Sequence, residues 1–127
     1  MSIRTALPTL GIAYVGHSFG AQWGAILTAV DRRLKAAVLM AGAAEEADLL
    51  LRSDNPRLAD LRASLPKGQL ETYVKALEGL NAINYVRYAQ PIPLLLQFAK
   101  FEQYFDMASM ERYAAAATES KTVLFYL

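Results

Sequence analysis

Leu10-Gly11-Ile12-Ala13-Tyr14-Val15-Gly16-His17-Ser18-Phe19-Gly20-Ala21 is the stretch on which the reading of this chain turns. Leu10 to Val15 is a short, aliphatic-rich run that stops at a glycine, as suits a strand buried on both faces. From Phe19 to Val30 the residues are mostly good helix formers without proline, and Asp31-Arg32-Arg33 supplies a polar break. A helix is expected there. Between the two stands Gly16-His17-Ser18-Phe19-Gly20, a G-x-S-x-G sequence joining strand to helix. In that context it reads as a nucleophile elbow: the serine adopts strained backbone, both flanking glycines avoid collisions, and the hydroxyl projects at the end of the sheet. Ser18 is the candidate nucleophile, and the backbone N–H of Phe19 points at a developing oxyanion. Gly20, Ala21 and Gly24 are small on the side where the helix must approach the strands. The bare five-residue pattern also fits a plain tight turn; the flanking strand and helix favour the elbow.

Working outward, Lys35 to Ala41 is a second buried-strand candidate ending at Gly42. Its alanines leave helix open on propensity alone, but length and the glycine stop favour strand. Ala43 to Gln90 exceeds an ordinary connection, and breaks at Asn55-Pro56, Pro66 and Gly79 divide it into several short helices. Leu58, Leu61 and Leu65, then Leu70, Tyr73, Val74 and Leu77, fall at the spacing of apolar helix faces. Pro91-Ile92-Pro93 opens a third strand, Leu94 to Ala99, where prolines are tolerated because they precede or begin it. Asp106 to Ala117 reads as a helix and Thr122 to Leu127 as a fourth strand. Strands alternating with helices give an α/β protein, with a mainly parallel sheet of about four strands and helical connections. No internal repeat or linker appears, so residues 1–127 are expected to form a single domain.

Composition narrows the function classes. The 127 residues are 54% hydrophobic and 20% charged, with 13 Lys and Arg against 12 Asp and Glu. A net charge of +1 provides no excess for binding nucleic acid or an acidic membrane. Apolar runs such as Leu34 to Ala44 fall short of the roughly 20 residues of a membrane span. Met1 to Pro8 lacks an apolar stretch of signal-peptide length, so a cytoplasmic location is expected. With no cysteine, disulfides and thiolate metal sites are excluded. No phosphate-binding glycine loop or metal-ligand spacing occurs, and no cofactor or metal is expected.

The segment Ile12 to Ala21 resembles the elbow region of the α/β-hydrolase family, especially its dienelactone-hydrolase-like and acyl-peptidase-like members. Lys35 to Gly42 resembles that fold's next strand, and Pro91 to Ala99 the strand whose end carries the triad acid. Lys121 to Leu127 resembles the last strand, after which the family places its histidine. The likeness spans nearly the whole chain from Leu10, but only the C-terminal half of the family's fold. It implies a serine hydrolase acting on an ester, thioester or amide through an acyl-enzyme on Ser18.

Three departures qualify what the resemblance implies. Where the family usually has a glycine followed three residues later by Asp, Ala99-Lys100-Phe101-Glu102 offers Glu102 as the acid, with Asp106 behind it. Glu102 reads equally as a solvated loop carboxylate. The sole histidine is His17, directly before Ser18, where its side chain should diverge from the serine's; it reads as an elbow-packing residue rather than the base. The first strands are missing, with the loop that usually donates a second oxyanion N–H. The polypeptide is therefore expected to be weak or inactive as a hydrolase. The alternative is a truncated, non-catalytic protein acting as an oligomeric or partner-binding module.

Other residues carry less. Trp23 is expected to pack. Glu45, Glu46 and Asp48 read as a solvated helix start, where acids suit the dipole. Tyr104 and Phe105 either line a pocket or cover strand ends. If the strands lie in sequence order, right-handed crossovers place every connection on one face and leave the other bare, although strands apolar on both faces call for cover. A homo-oligomer, most simply a dimer, is expected unless the Ala43 to Gln90 excursion wraps round; a small acyl substrate is the other expected partner.

Overall fold

The structure is a computed structural model describing residues 11–89 and 91–127. Readings that fall on residues 1–10, the start of the first strand among them, and on residue 90 lie outside the described residues. Four strands, β1 (Ile12–His17), β2 (Leu34–Met40), β3 (Leu94–Ala99) and β4 (Lys121–Tyr126), form one sheet in the order β1-β2-β3-β4. All three pairings are parallel, giving the α/β class expected from the alternation. β1 runs through Gly16 and His17 because its register with β2 continues through Gly16 opposite Leu39 and His17 opposite Met40.

The elbow helix α1 (Phe19–Val30) follows β1 directly. The long excursion holds α2 (Glu46–Leu50), α3 (Pro56–Ser64), α4 (Gln69–Leu77), a 3₁₀ turn at Glu78–Leu80, and α5 (Ala82–Val86). The breaks act as expected: Asn55 caps α3 by accepting from the Arg57 N–H at 3.0 Å, and Pro56 opens it. α3 contradicts its leucine spacing, since none of its residues is buried. α6 (Met107–Ala116) begins after Asp106, whose side chain accepts from the Ser109 N–H at 2.8 Å.

α1 packs on β1 and β2, α5 packs on α1, and α6 packs on α5. These helices occupy one side of the sheet, as same-direction right-handed crossovers require. Leu39, Leu96, Phe98, Met110, Tyr113 and Val86 form the center of the core between helices and sheet. The alternate residues of each strand make the other face. Register aligns Val15, Val38, Leu95 and Thr122 in one row, and His17, Met40, Gln97 and Leu124 in the next. Val15 on this face is 64% exposed. The excursion therefore adds to the helical layer rather than wrapping the sheet.

Candidate active site

Ser18 links β1 to α1 with φ 54° and ψ −118°, a conformation that L-residues adopt at a cost of order 1–3 kcal/mol. Three backbone bonds hold it there. Its N–H donates to the Met40 carbonyl at 2.8 Å, and its own carbonyl accepts from the Ala21 and Gln22 N–H groups at 2.9 and 3.3 Å. The elbow is thus tied to the end of β2 and to the first turn of α1. The Ser18 hydroxyl caps no N–H of that helix and is exposed.

The two elbow glycines are not equivalent. A methyl on Gly16 would strike the Gly20 carbonyl and the Tyr14 ring at under 3.0 Å. A methyl on Gly20 would find only the Tyr14 hydroxyl, at 3.7 Å. The expectation that both glycines prevent collisions holds for Gly16 alone. Gly24 is a further close approach, pressed on the Tyr14 and Leu39 side chains.

Ser18 opens into a cavity of about 470 Å³ at the C-terminal end of the strands. The expected residues that meet here are Ser18, Phe19, Glu102, Tyr104 and Phe105. Phe19 is the first residue of α1, so its N–H has no intrahelical acceptor. Glu102 lies in the loop after β3, and its Oε1 accepts from the Gln103 and Tyr104 N–H groups at 2.8 and 3.1 Å. Among the described residues its Oε2 accepts no hydrogen bond. Asp106 serves as the α6 cap. His17 is exposed and touches the cavity rim, but no hydrogen bond joins it to Ser18. Trp23 is 47% exposed, edge-on to Phe19 at 5.9 Å between ring centers.

The acids at the start of α2 depart from the solvated cluster expected of them. Asp48 is buried, accepting from Ser109 Oγ at 2.6 Å and from Arg52 and Arg112 at 2.5 and 2.7 Å. Burial opposes its charge, and the hydrogen bonds from Ser109 and Arg52 with the two guanidinium charges outweigh that, holding its pKa below the usual value. Glu46 lines the cavity, and its Oε1 accepts from Gln22 Nε2 at 3.3 Å. Burial pushes its carboxyl pKa up, with the Gln22 bond acting the other way. Gln22 stands four residues after Ser18, one turn along α1, a spacing that would have located it. Nothing in the sequence assigned Glu46, Leu58 or Tyr73 to this cavity, because each comes from a loop-connected element whose docking is a tertiary matter.

Solved structures share this architecture. The esterase domain of a Rhodothermus marinus protein superposes with a TM-score of 0.66 at 18% identity, over 97% of this chain and 53% of its own. An acylaminoacyl peptidase from Pyrococcus horikoshii gives 0.72 at 13%, over 98% and 21%. A meta-cleavage product hydrolase from Pseudomonas fluorescens gives 0.60 at 15%, over 98% and 59%. The fold is that of the α/β-hydrolases. The chain spans about half or less of most of these α/β-hydrolase structures, and at most 59%. No family model and no curated protein matches it in sequence. Among the described residues, no helix is long and apolar enough to cross a membrane.

Proposed function

We propose that this chain carries the nucleophile of a serine hydrolase that cleaves a small ester, thioester or amide through an acyl-enzyme on Ser18. The observation that carries the reading is the strained backbone of Ser18, an exposed residue that opens into a cavity at the end of the sheet. Ser18 Oγ attacks the carbonyl carbon while its proton passes to a base. The Phe19 N–H stabilises the oxyanion, and collapse expels the leaving group, which takes up the proton. Water then releases the acyl group by the same steps. Glu102 is the proposed acid: two amides fix one carboxylate oxygen, leaving the other to orient an imidazole.

Among the described residues no base reaches Ser18, so the 127-residue polypeptide by itself is expected to turn over far below the roughly 10 per second of a competent enzyme. Short-chain nitrophenyl esters, assayed with added imidazole, test this. Acylation that imidazole accelerates, and that Ser18→Ala abolishes, supports the reading. Equal acylation in both proteins overturns it. Competent turnover without imidazole, lost in Ser18→Ala, would overturn the expected low turnover and reveal a base within the chain.

A second reading is favoured by the sheet face around Val15, Val38 and Leu95, on which the described residues leave Val15 64% exposed. On that reading the chain is a non-catalytic module that associates through this face with a second copy of itself.

A further inference from the structure

The cavity beside Ser18 has a consistent electrostatic character. Two carboxylates, Glu46 and Glu102, line it together with His17, and no lysine or arginine does. Its remaining wall is largely apolar and aromatic, with Leu49, Leu58 and Tyr73 among its residues. The three acids at the start of α2 differ in what they meet. Glu45 pairs with Arg52, and Asp48 pairs with both Arg52 and Arg112. Glu46, between them, enters no ion pair among the described residues, and its one side-chain partner is the neutral amide of the buried Gln22. Gln22 lies about one turn beyond Ser18, and Ser18, Gln22 and Glu46 line the same cavity, so this bond holds the Glu46 carboxylate in the cavity that the nucleophile opens into.

A carboxylate partly withdrawn from water and lacking a counter-charge is costly unless something supplies one. We propose that Glu46 is a specificity-determining residue that selects ligands carrying an aliphatic ammonium group on an apolar stem. The ammonium donates to the Glu46 carboxylate as a charge-assisted hydrogen bond, and the stem lies along Leu49, Leu58 and Tyr73. The Tyr73 ring adds a face that favours a cation over a neutral group. Calling this ligand a substrate rests on the serine chemistry proposed above; the binding preference does not.

Calorimetric titration of the 127-residue chain with 4-phenylbutylammonium and with its neutral counterpart 4-phenylbutan-1-ol tests the inference. The amine is expected to bind roughly tenfold more tightly. Glu46→Gln, which keeps the shape of the side chain, is expected to bring the two ligands within about twofold. Glu102→Gln and Ser18→Ala are expected to retain the preference. Glu46→Lys guards against misfolding of the first variant, since it should reverse the preference toward 4-phenylbutanoate. Equal affinities in the unaltered chain overturn the proposal, as does a preference that survives Glu46→Gln or disappears with Glu102→Gln. Failure of the imidazole-assisted acylation of Ser18 would remove the hydrolase reading and leave these titrations intact. Acylation without an amine preference would do the opposite.

Discussion

The Tyr14 hydroxyl donates to the Gly20 carbonyl at 2.7 Å, bracing the first turn of α1 from the strand that precedes it. The same ring packs against Gly24 one turn further on, so one side chain spans the elbow. Tyr14→Phe retains the packing and removes the bond. It is expected to cost about 1 kcal/mol in denaturant unfolding and to slow Ser18 acylation more than it weakens ligand binding, because it loosens the turn that aims the hydroxyl.

The two elbow glycines provide a sharper test. Gly16→Ala drives a methyl into the Gly20 backbone, which cannot rotate away as a side chain tip can. A loss of about 3 kcal/mol or more is expected. Gly20→Ala meets only ordinary contact at 3.7 Å and gains helix propensity, so its stability should stay within about 1 kcal/mol of the parent or rise. Parallel thermal melts of the two variants make the comparison.

Asp48 connects α2 to α6 through Ser109 and Arg112, more than sixty residues apart in sequence. Its folded-state pKa lies below the ordinary value of 3.8, so the unfolded chain binds more protons between the two values. Its contribution is therefore fully present above pH 3.8 and declines as pH falls through the depressed folded value. Asp48→Ala leaves the buried Ser109 hydroxyl without its acceptor, and about 2–3 kcal/mol is expected to be lost near neutral pH. In urea melts the gap between parent and variant should narrow once pH drops below 3.8. A gap unchanged at pH 3 would mean that the ionised carboxylate is not what holds the helices.

The sequence disclosed what is local and periodic. The strand, turn and helix around Ser18 could be read because the turn requires glycine at Gly16, and the one-sided helical layer followed from handedness once the four strands were taken in sequence order, the order that the structure has. Glu102 could be placed because loops after parallel strands share one edge with the elbow. The leucines of α3 misled, since helical spacing shows that one face is apolar without saying what meets it; Leu58 lines the cavity and Leu61 is 39% exposed. The acids of α2 misled for a related reason. Three neighbouring carboxylates look alike in sequence, and only the arrival of Arg112 from α6 and Gln22 from α1 gives them separate roles.

The open face of the sheet leads to the last prediction. The rows Val15, Val38, Leu95 and His17, Met40, Gln97, Leu124 lie opposite the helical layer, and the described residues leave Val15 64% exposed. A two-sided apolar sheet covered on one side favours association, and β1 and β4 are open edges of the described sheet. Two copies meeting face to face would each cover the other's rows, an isologous contact expected to bury roughly 2,000 Å² or more in all. Light scattering of the isolated 127-residue chain at micromolar concentration should then give twice the 14.0 kDa of one chain. Val15→Lys is the diagnostic variant. Its position is already largely exposed, so a lysine should leave the folded monomer within about 0.5 kcal/mol of the parent, while placing a charge against the partner's apolar row. It is expected to yield a folded species of monomer mass. A parent chain that is monodisperse at 14.0 kDa would exclude self-association through this face, and a Val15→Lys dimer would move the contact to an edge strand.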